Sequence, residues 1–462
     1  MSAGREIIII KTPLSAKIEP KNPYFSILRR EYPEPLIALL AFILGIWLWD
    51  HYFGKMNGYE PGTEAIALVK IDRDLRLSDA MASDPSWLRW MAGVDRPDIT
   101  RKTALEALQK LAEAESISEK GVAAFAVIKA EQENQPALDA LSQVAKGGEA
   151  PDFHLMADRL SKGRGTWWEA RMLEERNARR PMSGNWQTRE GQIGEQLRLR
   201  ALFSRSAVWL LALVGFAFLP STVRRMEAGF KIKTRGYANR WTAAMGLTIF
   251  LVATLAWIGF GLMLNLGISA TAEMPAWLGV ALDSVARLLP PLIAVALIFR
   301  KPAHALKVLG VNRQLNVGML LGLFSLLTLL DQPLRLIFGD EGASEPGGGL
   351  HAGEAGWVGL TFMLLSACVA APIAEEVLYR GILFRSLGNR LGVASGAWVS
   401  SIIFALLHIY DGYGLASVGV FGFGCAVLYA GTGSLTTVIC FHMLYNLTIK
   451  LPEWIVYHSS LA

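Results

Sequence analysis

Long apolar runs, separated by short basic or polar breaks, make up most of this chain, and one broad polar stretch interrupts the rhythm. Nine apolar segments stand out, at about 35–53, 205–220, 241–267, 275–299, 315–331, 355–374, 393–410, 415–431 and 433–450. Crossing a hydrocarbon core of about 30 Å takes about 20 helical residues at about 1.5 Å each, and most of these segments reach that length. The second, 205–220, ends at Pro220 and is marginal. The pattern predicts an all-α fold: a multi-pass transmembrane helical bundle of about nine spans with a small, mainly helical soluble insert.

The insert is 54–204. Its stretch "DITRKTALEALQKLAEA" spaces Leu105, Leu108, Leu111 and Ala112 three and four apart, which is the apolar stripe of an amphipathic helix. "QPALDALSQVAK" and "TWWEARMLEERNARR" also read as helices, and Trp87, Trp90, Trp167 and Trp168 are expected in the core of this domain. The remaining order is a basic tail at 1–34, the first span at 35–53, spans two to five within 205–331, a Gly-rich loop at 332–354, a C-terminal membrane core at 355–450 and a tail at 451–462.

Composition agrees with a membrane protein: 52% of residues are hydrophobic, 18% are charged and 14 are Trp. The net charge of +5 sits in short blocks between apolar runs, which is a topology signal and not a nucleic-acid footprint. The tail before the first span carries Arg5, Lys11, Lys17, Lys21, Arg29 and Arg30; 221–240 and 300–314 are also basic, whereas 268–274 has no Lys or Arg. Nine spans with the N-terminus inside make these blocks alternate, leaving the insert and the C-terminus on the outer side. The first span follows 34 residues of tail and lacks a small-residue exit, so it reads as a signal anchor. A bacterial inner (plasma) membrane is the expected location. The three cysteines, Cys368, Cys425 and Cys440, lie in apolar runs, as packing residues do.

Chemistry enters at "SACVAAPIAEEVLYRGILF", 366–384, where Glu375, Glu376 and Arg380 interrupt an apolar helix. An ionised side chain at mid-membrane costs about 2.5–3.5 kcal/mol on insertion scales, so such groups face a wet cavity or each other. Glu376 and Arg380 are four apart and pair on one helix face, leaving Glu375 about 100° away. Pro372 removes a backbone bond one turn earlier and is expected to open space beside the carboxylates. An equally ready account of this segment alone is that the membrane ends near residue 374 and the charges sit at headgroup level.

Histidines shift that balance. Of seven, only His408 and His442 lie well inside expected spans; His51 sits at the border of the first and the others in loops or borders. Glu375 and His408 each lie about 25 Å along their helices from a turn near "NRLG", so an antiparallel pair brings them level. "FALLH" sets Phe404 one turn from His408, and "HMLYN" puts His442 and Asn446 on one face of a later span. A carboxylate and an imidazole can deprotonate water for attack on a carbonyl, and a second imidazole with a carboxamide can donate to the oxyanion. Other membrane-protease signatures fit worse: there is no HExxH, Ser395 is out of register for a G-x-S-G, and "IFGD" lacks a first glycine.

EExxxR at 375–380, FxxxH at 404–408 and HxxxN at 442–446, in order on successive spans, resemble the three signatures of the CPBP family. That family comprises CAAX prenyl endopeptidases and bacteriocin-processing or Abi-type membrane proteins. The resemblance covers about 355–450. It implies an intramembrane endopeptidase, glutamate- or metal-dependent, with Glu375 and His408 activating water. His442 and Asn446 would then stabilise the oxyanion, with Glu376 and Arg380 shaping the site. A zinc ion, if used, would be held by Glu375, His408 and His442. Implied partners are membrane lipid and a membrane-associated protein or peptide substrate. A non-catalytic scaffold or immunity-type protein using the same cavity is the main alternative. A transporter is a third, disfavoured by the clustering of polar groups on three spans.

Overall fold

The computed structural model describes residues 40, 43, 44, 47, 63–114, 117–139, 152–181, 184–231, 241–268, 276–299, 301–338, 356–408 and 412–458. The expected basic tail, nearly all of the first span and most of the Gly-rich loop fall outside these residues. Among the described residues every regular element is helical.

The insert is built from α1 (Thr63–Ala80), α2 (Ser86–Ala92), α3 (Pro97–Ala114), α4 (Glu119–Gln132), α5 (Phe153–Ser161), α6 (Trp167–Arg179) and the first half of α7 (Trp186–Phe216). α6 starts where Thr166 and Glu169 form a reciprocal capping box, which satisfies two otherwise orphaned helix donors. The buried face of α3 is Ala104, Leu108 and Leu111; Ala112, expected on that stripe, is exposed. These residues pack with Ile71, Leu75, Val127, Trp167 and Trp168 in one apolar cluster. Two of the four Trp expected in the core are therefore there. Trp87 and Trp90 are not: they remain 63% and 55% exposed, because α2 turns Leu88 and Ala92 inward instead.

No break separates insert from membrane at 204/205, since α7 is one helix of 31 residues crossing that point. It is followed by α8 (Leu219–Phe230), α9 (Ala243–Ile268), α10 (Ala276–Ile298), α11 (Pro302–Leu309) and α12 (Val317–Phe338). A continuous helix, α13, then runs through 356–391, and α14 (Val393–Leu406), α15 (Gly412–Thr432) and α16 (Leu435–Tyr457) complete the chain. The eight expected spans after the first each fall on a helix. Among the described residues five helices are long and apolar enough to cross a membrane: Trp186–Phe216, Ala243–Gly261, Val317–Phe338, Trp357–Leu391 and Gly412–Thr432. α14 is shorter, and α16 carries Lys450 and Glu453 near its end. The chain is an integral membrane protein of all-α architecture.

The insert grips the end of α16. Arg73 donates to the carbonyl of Val456, the Tyr457 hydroxyl donates to Asp74, and Lys70 lies 5.4 Å over the Tyr457 ring. Insert and C-terminal helix end are thus at the same end of the bundle.

α13 is the element that positions the chemistry. It is α-helical over Gly356–Leu365, widens to π turns at Ser366–Ala370, returns to α at Ala371–Glu375, widens again at Glu376–Phe384 and ends as α at Arg385–Leu391. Such wide turns occur mostly as local bulges inside α-helices, and frequently at functional sites. Gly392, at φ +92°, takes a backbone conformation closed to ordinary side chains and reverses the chain into α14.

Candidate active site

Pro372 explains the first wide turn. The N–H of Ala371 bonds the carbonyl of Ser366, five residues back, which is the π register. In that register the carbonyl of Ala367 would face the nitrogen of Pro372, which carries no hydrogen. The helix continues past the proline, and the side chain of Asn446 on α16 supplies the missing donor, with Nδ2 at 2.7 Å from Ala367 O.

One turn further on, the two carboxylates separate. Glu376 is fully buried, its Oε2 3.2 Å from Nε of Arg380, which is 1% exposed. Its other oxygen, Oε1, accepts from Nδ1 of His442 at 2.7 Å. Arg380 is held further by Nη2 donating to the carbonyl of Gly422 on α15 at 2.9 Å, and by stacking 4.5 Å over the Phe404 ring. Glu375 has a side chain 21% exposed, and its Oε2 lies 3.8 Å from Nε2 of His442. His442 therefore stands between both glutamates, one on each ring nitrogen. Glu376 and Arg380 are sealed in the protein interior, on a helix that runs on to residue 391.

His408 lies just past the end of α14. Its Nδ1 is 2.7 Å from the carbonyl of Phe404. A carbonyl has no hydrogen to give, so in this bond Nδ1 is the donor. Phe404 links the two halves of the site, with ring centroids 4.5 Å from His408 and 6.4 Å from His442. The structure thus brings Glu375, Glu376, Arg380 and His442 into direct contact, ties His408 to them through Phe404, and sets Asn446 against the backbone of α13.

Among the described residues no three His, Cys, Asp or Glu side chains are gathered closely enough to hold a metal ion, so a zinc site of Glu375, His408 and His442 is not assembled in this arrangement.

The FxxxH spacing singled out Phe404, but several contacts of the site escaped the sequence. Phe404 wedges the site together; Gly422 lets α15 approach; the buried thiol of Cys425 lies against Glu376. A second polar cluster sits on α12, where Asp331 pairs with Arg335 at 2.8 Å and accepts from the hydroxyl of Tyr413. Asp331, Ser417, Phe421 and Tyr445 line a small cavity, and Phe421 packs on His442 at 4.7 Å. The i,i+4 spacing of Asp331 and Arg335 was the available signal, but the expected span ended at 331 whereas α12 runs to Phe338.

Fold and site define a helical membrane protein with a buried carboxylate–guanidinium–imidazole centre. Residues 357–448, the segment that holds all three motifs, match the sequence model of the family described as "Type II CAAX prenyl endopeptidase Rce1-like", and this bears out the CPBP resemblance over that segment. A curated protein of Bacillus subtilis (strain 168), named "Putative membrane peptidase YdiL", is 31% identical over 91 residues, which is 20% of this chain and 37% of that relative. The match thus spans little more than a third of the relative's length. No solved structure matches the chain.

Proposed function

We propose that the protein is an intramembrane endopeptidase, hydrolysing a peptide bond in a membrane-associated protein or peptide in a bacterial inner (plasma) membrane. The observation that carries this reading is His442 held between Glu376 and Glu375, with Glu376 itself locked by a fully buried Arg380. Membrane-buried charges are costly unless they work or pair, and here the pair Glu376–Arg380 leaves Glu375 the partly open carboxylate.

In this mechanism Glu375, with His408, takes a proton from water, and the resulting hydroxide adds to the scissile carbonyl. The oxyanion is met by His442, whose Nε2–H donates when the ring carries its second proton, and by the carboxamide of Asn446. Asn446 spends one N–H on Ala367 O and retains the other. Collapse breaks the C–N bond, the amine takes the proton back from Glu375 or His408, and the products are a carboxylate and an amine. Glu376 and Arg380 set the tautomer and angle of His442. The family and the relative's name support a membrane peptidase of CAAX type in general.

The test compares membrane peptides in cells carrying wild type, Glu375→Gln or His408→Ala. Cleavage of one or more peptides should be lost in both variants. Full function in Glu375→Gln, coupled with loss on bulky substitution into the cavity, would favour the scaffold reading and end this one.

A further inference from the structure

The face of α2 that carries Trp87 and Trp90 is unexplained by the insert's own packing. The two indoles are three apart, on one side of the helix, and both remain more than half exposed. The other side is fixed: Leu88 and Ala92 pack with Ile193, Leu197 and Ala201 of α7.

α7 supplies the level at which this face lies. It carries Arg198, Arg200 and Arg205, then no charged residue until Arg224. Trp209, one turn inside that boundary, stacks on Trp90 at 4.9 Å and donates Nε1–H to the carbonyl of Met91 at 3.2 Å. Below it, Leu210 and Leu213 are exposed along the membrane-crossing part of the same helix. Another exposed indole, Trp357 at the start of α13, packs on Trp454 near the end of α16, the end gripped by the insert. Indoles at the junction of charged and apolar surface are characteristic of the bilayer interface, where the ring sits among upper acyl carbons and the N–H meets headgroup oxygens.

We propose that the Trp87–Trp90 face is seated in the headgroup layer, so that phospholipid covers this apolar patch and the insert lies against the membrane. The patch is continuous with the lipid-facing surface of α7, which is why lipid and not another protein is its occupant.

The test uses the full chain, with Cys440→Ser, reconstituted in phosphatidylcholine/phosphatidylglycerol vesicles and spin-labelled at Trp87→Cys or Trp90→Cys. Lys110→Cys serves as the water-exposed control and Leu210→Cys as the lipid-exposed one. Collision with oxygen relative to a water-soluble nickel complex should be several-fold higher at 87 and 90 than at 110, approaching the value at 210. A ratio equal to that at 110 overturns the proposal. So does shielding from both reagents, which would mean that a second copy or another protein covers the face. A measurement without labels guards against local disturbance. Vesicles with brominated acyl chains should quench a smaller share of tryptophan emission in Trp87→Phe/Trp90→Phe than in the unsubstituted protein. An unchanged share likewise overturns it.

Discussion

The carboxamide of Asn446 donates to the carbonyl oxygen of Ala367 at 2.7 Å, and Pro372 is the reason that oxygen needs a donor. The wide turn at Ser366–Ala370 hands the Ala371 N–H to Ser366, so Ala367 would pair with residue 372, where proline has nothing to give. Asn446 thereby fixes α16, and with it His442 one turn away, against α13.

This relationship predicts coupling. Asn446→Ala leaves a part-buried carbonyl without this donor, a loss of about 1 kcal/mol. Pro372→Ala restores an N–H to that register, so Asn446→Ala should cost measurably less in the Pro372→Ala background. The double-mutant cycle, read by thermal unfolding of the detergent-solubilised protein, should give a coupling of about 1 kcal/mol, within the range for contacting residues. Additive effects would mean that Ala367 O is satisfied otherwise.

The two glutamates should fail differently. Glu376→Gln leaves Arg380, 1% exposed, without its carboxylate. Breaking a buried pair in this way costs about 3–5 kcal/mol, so the variant should express poorly or melt early. Glu375→Gln alters a side chain that is 21% exposed. It should keep stability within about 1 kcal/mol while lowering peptidase turnover by about 10²–10⁴. Melting curves and turnover on the same preparations separate the two; equal stability losses would contradict the division of roles.

Much of this site could be read in the sequence, because helical periodicity alone puts residues four apart on one face. The pair Glu376–Arg380, the adjacency of Phe404 and His408, and the shared face of His442 and Asn446 all follow from that spacing. The partner of His442 did not, because which carboxylate an imidazole meets depends on how α16 lies across α13. Nor did the role of Asn446 follow, since it hangs on a backbone register that the proline suggests but does not specify. Trp87 and Trp90 were misplaced for a related reason. Aromatic residues in a soluble insert usually mark its core, and only the stacking on Trp209 shows where these two sit.

Gly422 tests how tightly the site is packed. A Cβ there would lie 3.0 Å from Cδ1 of Phe404 and 3.3 Å from Nη2 of Arg380. Neither can retreat easily: Phe404 is wedged between Arg380 and both histidines, and Arg380 is pinned by Glu376 and by the Gly422 carbonyl. Gly422→Ala should destabilise by about 1–3 kcal/mol, as overpacking does, and should depress activity by displacing Glu376 and His442. Gly259, which has open space around it, is the control: Gly259→Ala should leave both melting and activity unchanged.

The insert has its own buried anchor. Arg76 on α1 pairs with Glu190 on α7, lies 3.1 Å from Asp72 and donates to the carbonyl of Gly165 at 2.8 Å just before α6. One guanidinium thus ties three elements of the domain together, with Asp72 also accepting from the backbone N–H of Trp167. Arg76→Met keeps most of the volume but strands two carboxylates in a largely buried setting, at a cost of about 3–5 kcal/mol. Hydrogen exchange should then rise in α1, α6 and the first half of α7. It should also rise at the end of α16, because Arg73 and Asp74 on α1 hold Val456 and Tyr457 there. α14 and α15, whose packing runs through the bundle core, should keep their protection. If protection at the α16 end is unaffected while α1 opens, the insert is a passenger on the membrane core and not a brace for the helix that carries His442 and Asn446.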